Sequence, residues 1–212
     1  RAKSGTRAGA KAKGKARAGE AKLAPPPPPP REWPPKVPMG PIPDILELVK
    51  ADDDDIDTIM LFRGGPADDS EGSAPESFTA EEIEYVCGCL ENNTNVANLN
   101  LSFNPIGDAG ALHIARLIEG CNASGGKRPP LSRISLMQCG ITSEGTKAIA
   151  EALLANTTVQ VLELSCNDVG DDGAEALLAM LKKNRQIKQL ALAMCPVSEE
   201  LQKQIDKQLM IR

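Results

Sequence analysis

The side chains best suited to chemistry in this 212-residue sequence are six cysteines (Cys87, Cys89, Cys121, Cys139, Cys166, Cys195) and a single histidine, His113. A structural zinc site calls for Cys-x-x-Cys pairs. Cys87-Gly88-Cys89 is one residue too short for that, and no cysteine flanks His113. Any Ser-His-Asp or Cys-His device would have to use His113, whose neighbours Ile114 and Ala115 read as the inward face of a helix, which leaves His113 on a flank. Gly125-Gly126-Lys127-Arg128 resembles a phosphate loop at first sight. It lacks the Gly five residues before Gly126 and the Ser/Thr after Lys127, and it runs from helix to strand instead of strand to helix. Asp52–Asp55 with Asp57 suggest calcium, but the loop glycine is missing and Gly64 stands where a twelfth-position Glu belongs, so a solvated acidic turn is expected. Asn92, Asn122 and Asn156 stand in Asn-x-Ser/Thr triplets; the first and third fall where a helix hands over to a strand, a structural place for asparagine. The reading is therefore of no catalytic residue, no metal and no cofactor.

The elements that would position such groups come from a repeat. Leu-x-x-Leu-x-Leu-x-x-Asn/Cys-x-Leu, then a Gly and an apolar helix, fits Val96, Leu99, Leu101, Asn104 and Ile106. It fits again at Leu131, Ile134, Leu136, Cys139 and Ile141, at Val159, Leu162, Leu164, Asn167 and Val169, and at Ile187, Leu190, Leu192, Cys195 and Val197. A degenerate first unit has Ile56, Ile59 and Leu61, with Gly64 at the asparagine position and a polar insert, Gly65–Ser77, before Phe78 resumes register with Ile106. Such spacing predicts a curved solenoid of strand–helix coils, with parallel strands near 56–61, 96–101, 131–136, 159–164 and 187–192. The inserts Gly65–Ser77 and Cys121–Pro130 are expected outside the coils. Thr79-x-x-Glu82 predicts a capping box opening a helix with Ile83, Val86, Cys87 and Leu90 on one face. Its counterparts are Ile114, Ala115 and Ile118, then Ile149, Ala150 and Leu153, then Leu177, Leu178 and Leu181. Gly110, Gly145 and Gly173 are expected to let each helix start approach the preceding turn. The Asn/Cys position is expected to bond the neighbouring coil's backbone. A short helix at Asp44–Lys50, with Ile45, Leu46 and Leu48, and a last helix at Ser198–Met210, with Leu201, Ile205 and Leu209, read as terminal caps.

Residues 44–212 resemble the ribonuclease-inhibitor-like class of leucine-rich repeats. The resemblance implies an α/β solenoid of about five coils that binds other proteins. The same class occurs in the Ran GTPase-activating protein, the tropomodulin and leiomodin actin cappers, cytosolic immune receptors and several ciliary axoneme proteins. A polyproline run ahead of repeats is similar to that of the leiomodins. The class specifies fold far more than function.

Ahead of the repeats lies an arm, residues 1–43. Residues 1–50 hold 11 Lys and Arg against 4 Asp and Glu, while the remaining 162 hold 13 against 25. Residues 1–24, almost wholly Ala, Gly, Lys and Arg, read as disordered in isolation, and Pro25–Pro30 as a polyproline II rod. The rod is extended by Trp33, Pro34, Pro35, Pro38, Pro41 and Pro43; a ligand for an aromatic-lined groove and a plain solvated tail are alternative readings. Arg1, Lys3, Arg7, Lys11, Lys13, Lys15, Arg17 and Lys22 would carry the arm onto an anionic surface, and an acidic polymer such as tubulin, a nucleic acid such as RNA and an anionic membrane surface fit it equally well. No run of about 18 apolar residues offers a membrane span. The sequence opens at Arg1 with no secretory signal visible, and a targeting segment removed ahead of Arg1 stays open. Unpaired thiols at small buried repeat positions suit a reducing, intracellular compartment.

Side chains between the strand leucines should line the concave face: Thr58, Met60, Phe62 and Arg63; Asn98, Asn100, Ser102 and Phe103; Arg133, Ser135, Met137 and Gln138; Val161, Glu163, Ser165 and Cys166; Gln189, Ala191, Ala193 and Met194. Only Arg63, Arg133 and Glu163 among these are charged, which argues against nucleic acid there. Met60, Phe62, Phe103, Met137 and Met194 are apolar side chains aimed outward, a mark of a covered surface. The competing reading folds Phe103 and Met194 over the rim to close the core. The partner-binding set is accordingly Met60, Phe62, Arg63, Asn98, Asn100, Phe103, Arg133, Met137, Glu163 and Met194. The function expected is a non-catalytic scaffold subunit of a large assembly, with a ciliary axoneme favoured by the resemblance. An organellar, ribosome-like host and a regulator of actin or of a small GTPase are the alternatives.

Overall fold

A computed structural model describes residues 43–61, 78–121 and 129–211. The arm up to residue 42, Phe62, Arg63, Gly64, the insert Gly65–Ser77 and residues 122–128 of the second insert lie outside the described residues. Eleven elements alternate: α1 (Pro43–Lys50), β1 (Thr58–Met60), α2 (Ala80–Leu90), β2 (Asn98–Asn100), α3 (Gly107–Cys121), β3 (Arg133–Ser135), α4 (Ser143–Leu153), β4 (Val161–Glu163), α5 (Gly170–Lys183), β5 (Gln189–Ala191) and α6 (Glu199–Met210). The strands form one parallel sheet in chain order, β1-β2-β3-β4-β5. Each is three residues long, shorter than the six-residue motif windows, because only the central residues of each window pair as strand.

Register follows from the repeat. Ile59, Leu99, Ile134, Leu162 and Leu190 pair in one row across the sheet, and all but Leu190 are fully buried. Leu61, Leu101, Leu136, Leu164 and Leu192 fill a second buried row. Ile56, Leu190, Cys195 and Val197, all in the first and last coils, are only partly buried. A solenoid core is closed by its neighbours, so its ends are where burial fails. Phe78 is buried at the place Ile106 takes one coil later.

Each helix offers the core the face its spacing predicts: Ile83, Val86, Cys87 and Leu90; Ile114, Ala115 and Ile118; Ile149, Ala150 and Leu153; Leu177, Leu178 and Leu181 are all buried. Thr79 closes a full capping box with Glu82, the Thr79 N–H donating to Oε2 at 2.9 Å and the Glu82 N–H to Oγ1 at 3.2 Å. The N-terminal cap differs in detail from the sequence reading. α1 buries Leu46 and Val49, whereas Ile45 and Leu48 are exposed; both pairs share the three-residue step of a helix face, and only one of them can be turned to the neighbouring α2. In α6 only Ile205 is fully buried, with Leu201 and Leu209 partly so.

Polar side chains join the coils. Asn104 Nδ2 donates to the Leu61 carbonyl at 2.8 Å and Asn167 Nδ2 to that of Leu136 at 2.7 Å, both on the preceding coil. Cys139 and Cys195 take the same place, their Sγ lying 3.3 Å from Leu101 O and 3.2 Å from Leu164 O. A second set sits at the helix-to-strand turn, where Asn93 Nδ2 reaches Val49 O at 2.9 Å and Asn184 Nδ2 reaches Asn156 O at 2.9 Å. Carboxylates reach from one coil to cap the next: Asp108 accepts from the Thr142 N–H at 2.8 Å, Thr142 Oγ1 at 2.7 Å and the Gly145 N–H at 3.0 Å. That reach needs a glycine. A Cβ on Gly145 would stand 2.5 Å from Asp108 Oδ1 and 2.9 Å from the Ala111 Cβ.

Candidate protein-binding face

In-register parallel pairing stacks equivalent side chains into rows across the concave sheet. Thr58, Asn98, Arg133, Val161 and Gln189 form one row, and Met60, Asn100, Ser135, Glu163 and Ala191 the next. Lateral bonds tie the first coils, with Asn98 Nδ2 donating to Thr58 Oγ1 at 3.0 Å. Asn100 Oδ1 accepts from the Ser102 N–H at 3.0 Å, and Glu163 Oε1 from the Ser165 N–H at 3.3 Å. Ser102 and Ser165, expected to line the face, are instead buried brackets: their hydroxyl oxygens accept from the Met137 N–H at 3.2 Å and the Ala193 N–H at 3.1 Å. A hydroxyl is short enough to turn back onto the adjacent coil's backbone, so these two serve the fold.

The last row has a feature invisible in the motif. Phe103, Gln138, Cys166 and Met194 all adopt left-handed backbone, with φ of 66°, 53°, 59° and 59°. Each directly precedes the Asn/Cys position. The conformation costs a non-glycine residue roughly 1–2 kcal/mol. Ladder bonds continue through it, the N–H groups of Phe103, Gln138 and Cys166 donating to Met137, Ser165 and Ala193 carbonyls at 2.8, 3.0 and 2.8 Å. The backbone turn aims the side chain off the coil. Phe103 is 46% exposed, about half covered, and Met194 86%, so Met194 stands clear of the core. Met60, 65% exposed, joins Phe103, Asn100, Ser102 and Leu61 around a shallow hollow of about 300 Å³. Arg133 is exposed, and Asn98, Asn100, Met137 and Glu163 are half-buried. Phe62 and Arg63 lie outside the described residues.

The groups that could do chemistry are elsewhere and poorly disposed for it. His113 lines a hollow of about 120 Å³ between α2 and α3, with Glu84, Cys87, Gly88, Glu91, Arg116 and Leu117. Sequence spacing gave no hint that Cys87 and His113 would share a hollow. Burial, however, pushes the Cys87 thiol up to about 12, and a nucleophile needs the thiolate. Cys139 is likewise pushed up by burial to about 11. Among the described residues no group of three or more His, Cys, Asp or Glu side chains could hold a metal, and no helix is long and apolar enough to cross a membrane. Asp52, in left-handed backbone, is occupied with the Thr94 hydroxyl at 2.8 Å and with Asn95 Nδ2 at 3.2 Å. Asn156 is buried, its Oδ1 accepting from the Val159 N–H at 2.8 Å. Its counterpart two coils earlier is Asn93, which accepts from Val96 N–H at 2.7 Å, while the Asn92 of the triplet is exposed.

Known proteins place this arrangement. A model of the leucine-rich repeat matches residues 92–115 and 155–178. The chain is 34% identical over 118 residues to human (Homo sapiens) NACHT, LRR and PYD domains-containing protein 13, covering 56% of this chain and 11% of that protein. It is 33% identical over 107 residues to the ribonuclease inhibitor of Mus musculus, covering 50% and 22%. The chain thus spans less than a quarter of either relative's length. Among solved structures, leiomodin-1 actin-binding site 2 superposes with a TM-score of 0.61 at 20% identity, over 81% of this chain and 89% of that one, a likeness of fold. Five coils in one parallel sheet, the Asn/Cys ladder and these matches make residues 43–211 a leucine-rich-repeat fold similar to that of the ribonuclease inhibitors.

Proposed function

We propose that this protein is a non-catalytic scaffold subunit of a large assembly, such as a ciliary axoneme complex. The repeats dock another protein on the concave face, and the basic arm lies on an anionic neighbour. One observation carries the docking half: Met60, Phe103 and Met194 stand exposed on a sheet face whose charged members among the described residues are Arg133 and Glu163 alone. Apolar area of this kind supports binding when a partner removes it from water, at roughly 25 cal/mol per Å². The arm, by contrast, acts through screened Coulomb forces.

The two halves separate in a salt titration. With a partner recovered from cells and identified, deleting residues 1–24 weakens attachment and flattens its salt dependence. Changing Phe62 and Phe103 together to Ser weakens it about equally at low and high ionic strength. An unchanged salt slope after the deletion reduces the arm to a solvated tail, and unchanged affinity after the double substitution moves docking off this face. A second reading, a regulator of actin, is favoured by the fold shared with an actin-binding site of leiomodin-1. Co-sedimentation of the full chain with filamentous actin decides that one, and a chain that stays in the supernatant at saturating actin removes it.

A further inference from the structure

We draw no further inference here: the strongest candidate, the apolar hollow that Met60, Leu61, Asn100, Ser102 and Phe103 form on the concave side of β1 and β2, belongs to the docking face already described, and nothing in the structure shows what covers it.

Discussion

At the scale of single residues, the same side-chain type does different work at different depths of the coil. Asn167 donates to two carbonyls, Leu136 O at 2.7 Å and Leu164 O at 2.8 Å, and accepts from the Cys139 and Ile141 N–H groups at 2.9 and 3.1 Å. Replacing it by Ala strands buried backbone groups of two coils at once. The expected loss is about 3 kcal/mol in urea denaturation, since each unsatisfied buried group costs roughly 1–3 kcal/mol. A loss under about half a kilocalorie would mean that water or a shifted coil replaces the bonds. The motif made this asparagine legible, because its chemistry is fixed by periodic position. It did not reveal Ser102 and Ser165 as brackets, nor the left-handed corner at Phe103, Gln138, Cys166 and Met194, because both depend on backbone geometry that side-chain type does not encode. At the helix-to-strand turn it picked out Asn156 as structural but missed Asn93 and Asn184, since the Asn-x-Ser/Thr pattern drew attention to Asn92 one residue early and does not occur at Asn184.

At the scale of elements, helix placement depends on contacts between consecutive coils. Gly145 opens α4 where Asp108 of α3 caps it, and the 2.5 Å left for a Cβ is too short for any atom pair. Gly145→Ala should therefore push α3 and α4 apart or break the Asp108 cap, costing about 1–3 kcal/mol even though alanine is the better helix former. Thermal unfolding of this variant beside one at an exposed helix position separates the two effects; a neutral result would mean that Asp108 swings aside freely. Leu164, fully buried in the second core row, should cost about 2–5 kcal/mol when cut to Ala. Strand and helix positions were legible because apolar periodicity ran through every coil without conflict. The face of α1 was less so: with eight residues and one neighbour, Ile45 and Leu48 compete with Leu46 and Val49 for the same stripe, and packing against α2 decides.

At the scale of the molecule, coils spaced 40, 35, 28 and 28 residues apart, as read from Thr58, Asn98, Arg133, Val161 and Gln189, keep one unbroken register. Longer spacings are absorbed between strands without disturbing the pairing, which is why the repeat stayed readable across both inserts. What stayed unreadable was the partner, since exposed side chains on a repeat face obey no periodic constraint. The half-buried last coil has a kinetic consequence. In a linear array each coil is held by its neighbours alone, so opening should begin where a neighbour is missing and spread inward like a zipper. Amide hydrogen exchange should then release the protons of β5 and residues 192–197 well before those of β3 and β4, and simultaneous release would mean the array opens as a single block.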